Sequence, residues 1–348
     1  MAYDVKISIR NLYKIFGPNP KRALERVESG ADKARLLEKH GHVLGLRDVS
    51  IEIQERCIQV VMGLSGSGKS TLIRHINRLI EPTAGEITVD GEDILSMPDK
   101  ELRDFRRFKA SMVFQKFALL PHRTVSDNVK YGLKIQGIDA DDADKRAQHW
   151  IERVGLNGFE AHYPAQLSGG MQQRVGLARA LATDADILLM DEAFSALDPL
   201  IRNDMQDVLI DLQQELHKTI VFITHDLDEA LKLGDAITIL RDGSVVQQGS
   251  PEEIILKPAN DYVSDFILEI NRGRVLSVEA VMDTEVNGAG PEIDASTKIE
   301  DALQIFNDQD ITSARVRRAG DVVGTVSLAA MIEAIARPEG ESREVTYR

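Results

Sequence analysis

Gly63-Leu64-Ser65-Gly66-Ser67-Gly68-Lys69-Ser70 follows the apolar run 57–62 and precedes Thr71-Leu72-Ile73-Arg74-His75-Ile76. The spacing is G-x-x-x-x-G-K-[ST], that of a loop wrapped around nucleotide phosphates. Glycines let backbone N–H groups crowd a polyphosphate, and a helix N-terminus adds positive potential. Lys69 brings a full charge to the outer phosphates, and the Ser70 hydroxyl is a ligand for Mg2+. The run before the loop reads as a buried strand and 71–76 as a helix start, which is the context this motif requires.

Four further groups could serve the same chemistry. Asp191 ends the apolar run 187–191 and Glu192 follows it. A carboxylate there can hold Mg2+, and its neighbour can act as general base on an attacking water. Gln115, just past the apolar stretch 111–114, can reach both metal and water. Ser168-Gly169-Gly170 at a helix start offers a second backbone anion site, although such a sequence alone is more often a simple cap. His225 ends the run 219–224, and a histidine at the carboxyl end of a parallel strand stands where such sheets bind ligands.

The elements that must position these residues alternate between strand and helix. Strands are expected over 5–16, 43–53, 85–91, 111–114, 187–191 and 219–224. Runs 236–240 and 244–249 flank Arg241-Asp242-Gly243 as a hairpin. Residues 102–108 read as helix, and 124–182 as mostly helical. The pattern implies an α/β fold with a largely parallel sheet covered by helices on both faces. Pro18 and Pro20 open a charged segment, 18–42, that reads as a surface helix pair. Residues 251–272 read as a helical connector. A small α+β module of about 70 residues follows, near the lower size limit for independent folding. In it Ser296 is a candidate helix cap, and Ile299, Ala302, Leu303, Ile305 and Phe306 form an apolar face. The last residues, from Pro338, read as a flexible tail.

The 348 residues suggest two or three domains, with 43% hydrophobic residues to fill their cores. No apolar stretch reaches about 18 residues, and Met1-Ala2-Tyr3-Asp4-Val5-Lys6 lacks a secretory signal pattern, so neither span nor leader is expected. The single cysteine, Cys57, excludes an intrachain disulfide and reads as a small buried hydrophobe. A net charge of −14, from 56 acids against 42 bases, argues against a general nucleic-acid binder.

Taken in order, the 63–70 loop, Gln115, Leu167-Ser168-Gly169-Gly170-Met171-Gln172-Gln173-Arg174, Asp191-Glu192, Ser195-Ala196-Leu197-Asp198 and Thr224-His225-Asp226 resemble the ATP-binding cassette (ABC) family across residues 3–250. The resemblance implies a P-loop NTPase cassette over 1–272, with 18–42 as a helical insertion and about 116–182 as a helical subdomain. It implies two cassettes paired head to tail, each ATP lying between the phosphate loop of one copy and Ser168–Gly170 of the other. Lys69 and the loop amides would hold phosphates, Thr71 would touch the α-phosphate, and Ser70, Gln115 and Asp191 would hold Mg2+. Glu192 would polarise water, His225 would contact the γ-phosphate, and Asp198 would link the two sites. Phe16 best fits the aromatic that stacks on adenine, with Tyr13 as the alternative.

Within the family, residues 11–17 (Asn-Leu-Tyr-Lys-Ile-Phe-Gly), the insertion after them, 62–72, 77–83 and 112–122 resemble the ATPase subunit of glycine betaine/proline betaine importers. That implies a peripheral protein at the cytoplasmic face of the inner membrane. Its partners would be permease subunits, docked near 114–129 through Phe117, Leu119 and Leu120, and indirectly a periplasmic or surface solute-binding protein. Import of another small solute, or a soluble cassette ATPase, are the alternatives. The module over 273–337 resembles a cystathionine-beta-synthase (CBS) regulatory domain at Val281-Met282, 297–306 and 324–328. Arg315, Arg317 and Arg318 either face anionic lipid or decorate a solvated strand edge.

Overall fold

A computed structural model describes residues 4–336 apart from Asp32, Lys116, Ala196, Glu269 and 287–289, so the expected tail from Pro338 lies outside the described residues. The chain divides into two compact units, 1–248 and 249–348. The division precedes the 272/273 boundary expected from the sequence. The short helices after Gly249 therefore group with the C-terminal module rather than acting as a separate connector.

The first unit opens with β1 (Val5–Phe16), α1 (Pro20–Glu28), α2 (Lys33–His40), β2 (Val43–Gln54), β3 (Ile58–Met62) and α3 (Lys69–Ile76). Next come β4 (Ala84–Val89), β5 (Glu92–Asp93), α4 (Asp99–Asp104), β6 (Ala110–Val113), α5 (Val125–Gln136), α6 (Ala140–Arg153) and α7 (Gly169–Ala182). It closes with β7 (Ile187–Asp191), α8 (Pro199–Leu216), β8 (Thr219–Thr224), α9 (Leu227–Leu233), β9 (Ala236–Arg241) and β10 (Ser244–Gly249). Residues 102–108 are not one helix: α4 passes into a π-helical turn at Phe105–Lys109.

Two sheets share one core. The first has the order β2-β1-β4-β5, with β1 antiparallel to both long neighbours. The second has the order β10-β9-β3-β8-β7-β6, and its pairs from β9 through β6 are parallel. Every residue of β3, β7 and β8 is buried, as expected of parallel strands covered on both faces. Ile7, Ile51 and Ile87 of one sheet meet Val61, Leu189 and Ile223 of the other, with Leu72, Ile73 and Ile76 of α3 in the same cluster. The carboxyl ends of β3, β7 and β8 thus emerge together, anchored by fully buried strands.

The second unit contains α10 (Pro251–Leu256), α11 (Asp261–Ile267), α12 (Arg272–Val275), β11 (Glu292–Asp294), α13 (Ile299–Asp308), β12 (Ser313–Arg318), β13 (Asp321–Ser327) and α14 (Leu328–Ile335). Its sheet order is β11-β12-β13. Ser296 does not cap α13. Lys298 occupies that position, while the Ser296 hydroxyl and amide both donate to Asp294 Oδ1 in a local turn. Ile299, Ala302 and Phe306 of α13 are buried as expected, but Ile305 is exposed.

Candidate nucleotide site

The loop between β3 and α3 is shaped by close approach. A Cβ on Gly63 would lie 2.2 Å from the Leu240 carbonyl oxygen, and one on Gly68 would lie 2.6 Å from that of Gly45. Both glycines have positive φ, so a side chain is refused on two counts. A Cβ on Gly66, at the centre of the loop, would meet nothing within 4 Å among the described residues. The first turn of α3 has Gly68 at its N-cap with no side-chain hydrogen bond. Its amides therefore remain available to an anion.

Lys69 folds back beneath the loop, donating to the carbonyl oxygens of Gly63 at 2.8 Å and Leu64 at 3.2 Å. Burial pulls its ammonium below the usual lysine range, against the opposing pull of Glu192 and Asp191. Ser70 Oγ donates to Asp191 Oδ1 at 2.8 Å, and Arg74 Nη2 donates to Asp191 Oδ2 at 3.1 Å. Asp191 itself has no exposed surface. A buried carboxylate joined to a hydroxyl at the mouth of a phosphate loop is the donor set of a hard divalent cation.

Glu192 lies where three separately encoded segments converge. Its Oε1 is 3.8 Å from both Lys69 Nζ and His225 Nδ1, and its Oε2 accepts from Gln115 Nε2 at 2.8 Å. Its backbone stands at φ 47, a conformation unusual outside glycine. That geometry turns the carboxylate out of the β7 line, and its amide is held by the Ile223 carbonyl oxygen of β8.

Lys69, Ser70, Gln115, Glu192 and His225 face one cavity of about 670 Å³, lined also by Phe16, Lys33, Val43, Leu44, Gly45, Leu64, Ser65, Gly66, Gly68 and Thr71. The expected residues Gly63, Ser67 and Asp191 are not in its lining. One end is apolar around Phe16, Val43 and Leu44. The other is polar around the loop and Glu192. An aromatic base with a polyphosphate tail matches that division. Three contributors went unrecognised in the sequence. Lys33 and the 43–45 wall reach the cavity only through the packing of the insertion, and Arg74 meets Asp191 only across the α3–β7 contact.

The ABC transporter family profile matches residues 46–195. The chain is 48% identical over 344 residues to the glycine betaine/proline betaine transport system ATP-binding protein ProV of Escherichia coli, covering 97% of this chain and 84% of that one. The chain belongs to the ABC transporter ATP-binding proteins. It is 56% identical over 277 residues to the glycine betaine/carnitine transport ATP-binding protein GbuA of Listeria monocytogenes, covering 80% of this chain and 70% of that one. The ATP-binding cassette MJ0796, solved as a dimer in a post-hydrolysis state with ADP and Pi, matches with a TM-score of 0.61 and 33% identity. That likeness covers 70% of this chain and 98% of the other. The nucleotide of this ABC ATP-binding protein is therefore ATP.

The remaining expected residues of the ABC protein lie elsewhere. Ser168, Gly169 and Gly170 form the start of α7, and Asp198 the start of α8. Among the described residues none of them lines the cavity. Ser168 Oγ accepts from Met171 N at 3.3 Å, and Asp198 Oδ1 accepts from Ile201 N at 3.1 Å, so each caps its own helix. Tyr13 is absent from the lining, whereas Phe16 is present. In the second unit Arg315 and Arg317 pair with Glu292 at 2.8 and 3.0 Å, and Arg318 pairs with Glu279. All three guanidiniums, on the central strand β12, thus have a carboxylate partner within the unit. No described helix is long and apolar enough to cross a membrane.

Proposed function

We propose that this cassette is the ATP-hydrolysing subunit of an importer for quaternary amine osmolytes such as glycine betaine, bound peripherally to permease subunits at the cytoplasmic face. A solute-binding protein would feed the permease from outside. The observation that carries the hydrolytic part is the convergence of Lys69, Gln115 and His225 on Glu192. The solute class rests on the likeness to ProV and GbuA.

The side chains divide the work. Phe16 stacks on the base, and the amides at Gly66–Thr71 with Lys69 receive the phosphates. Ser70 and Asp191, with Gln115, would hold Mg2+, which when bound screens the charge between the outer phosphates. Glu192 takes a proton from the attacking water, and Gln115 orients its carboxylate. His225 reaches the terminal phosphate from its exposed strand end. Ser168–Gly170 of a second copy closes the γ-phosphate side, so that binding joins two cassettes and hydrolysis releases them. The apolar residues Phe117, Leu119 and Leu120 would receive a permease helix. The second unit, read as a CBS-like module, would regulate transport.

Uptake of radiolabelled glycine betaine tests this reading, in cells lacking their own copy and supplied with wild type or Glu192→Gln. Restoration by wild type alone is expected. Equal uptake with the variant, or none with either protein, overturns it.

A further inference from the structure

The helix pair at 20–40 is not surface decoration. Ala23 and Val27 of α1 and Leu36 of α2 are buried against Ile15 and Leu44, the residues beside Phe16 and Gly45. His42 Nε2 donates to the Pro18 carbonyl oxygen at 2.7 Å and closes the insertion at its base. From this anchored pair Lys33 reaches the cavity wall. Its Nζ donates to the Gly66 carbonyl oxygen at 3.1 Å and lies 3.7 Å from Asp242 Oδ1, at the β9–β10 turn. Gly66 is the loop residue with open space before it.

We infer that Lys33 is a second nucleotide-site cation, delivered by the insertion, which fastens the phosphate loop at Gly66 and adds positive charge for the polyphosphate of the bound nucleotide. The inference rests on the nucleotide reading of the cavity and deepens it. Two physical facts carry it. An ammonium has three donors, of which the Gly66 carbonyl engages one, while Asp242 at 3.7 Å is an ion-pair neighbour beyond hydrogen-bond distance, so donor capacity remains for a ligand. Its charge is only partly offset, because the Asp242 side chain is 69% exposed and at a distance where water screens it. The insertion thereby couples base and phosphate ends: the same small core holds the strand bearing Phe16 and the helix bearing Lys33.

The test is titration calorimetry of wild type, Lys33→Met, Lys33→Arg and Asp242→Asn with MgATP and with AMP. Lys33→Met keeps the methylene stem and removes the charge. It should weaken MgATP binding about tenfold, the loss of one charge-assisted contact, and leave AMP binding within twofold. Lys33→Arg should restore most of the MgATP affinity. Asp242→Asn, which keeps a residue tolerant of φ 50, should bind MgATP as tightly as wild type or more tightly. Undiminished MgATP binding by Lys33→Met overturns the inference. So does an equal loss for AMP, or weakened MgATP binding in Asp242→Asn, because either would make the lysine a structural tie. Failure of the wild type to bind MgATP at all would instead sink the underlying reading of the cavity.

Discussion

Two helix starts in the first unit offer backbone amides to an anion, and they are built differently. At α3 the N-cap is a glycine with no capping side chain, and Lys69, Ser70, Asp191, Gln115, Glu192 and His225 are already gathered around it. At α7 the Ser168 hydroxyl satisfies its own helix at 3.3 Å, and the cavity does not include this helix start. The first is equipped to bind and cleave. The second carries no acid, base or cation of its own from the expected set. Chemistry is thus concentrated at the α3 start, and in the proposed pair the α7 start would serve the site of a second copy. This asymmetry makes a head-to-tail pair the natural way to use both.

The largest effect should come from the α3 site. Glu192→Gln keeps the shape of the side chain and removes the base. ATP turnover should fall about 10²- to 10⁴-fold. Nucleotide binding should persist, and light scattering should then show a dimer that outlives the ATP pulse. Chelation of divalent metal in the wild type should abolish turnover as fully. Near-normal hydrolysis by Glu192→Gln would erase the distinction between the two helix starts.

That α3 would be the equipped end was legible because phosphate chemistry dictates residue types at fixed spacing. Gly63, Gly68, Lys69 and Ser70 sit within one loop, and Asp191 and Glu192 follow a run buried on both faces. Those demands are local, so the sequence carries them. Lys33 and Arg74 were not legible, because their roles depend on which helix packs over which strand end. The unit boundary was displaced for a similar reason: α10 and α11 look like a connector until their packing partners are known. At Ser296 two local rules competed. The turn at Asp294 captured the hydroxyl that a helix cap would have used. The π-helical turn at Phe105–Lys109 leaves no distinctive residue signature beyond an ordinary helical pattern.

The two helices also differ in what they bury, and this gives the next effect in size. α3 buries His75 completely, with Nδ1 2.6 Å from the Thr71 carbonyl oxygen. Burial pushes its titration down to about 4 from an ordinary 6.5. The unfolded chain therefore binds a proton between those values that the folded chain refuses. Stability rises with pH across this window and is lost as pH falls from 6.5 towards 4, by about 3 kcal/mol in all. Urea unfolding at pH 4.5, 5.5 and 7 should show this dependence in wild type and its loss in His75→Gln. Parallel curves would mean that the α3 base is wetter than its burial implies.

Ser168→Ala probes the α7 start more gently. Turnover should drop about tenfold while a single cassette's affinity for MgATP stays within twofold, since the residue lies outside its cavity. If both quantities fall together, α7 contributes to the site of its own chain, and the contrast between the two helix starts is gone.

The smallest effect concerns the buried face of α7. Gln173 is 4% exposed, and among the described residues neither its Nε2 nor its Oε1 has a protein partner. It lies beside Val113, at the end of β6 before Gln115, and beside Phe194 and Leu197, in the segment between Glu192 and Asp198. An amide buried without a partner costs about 1 kcal/mol or more. Gln173→Met, similar in volume, should therefore raise unfolding stability by up to about 1 kcal/mol in urea titrations. A matching loss of turnover would show that this amide is kept for the paired state at the expense of the single cassette. A destabilised variant would show that the α7 core is polar by construction, and that the two helices differ less than their burial suggests.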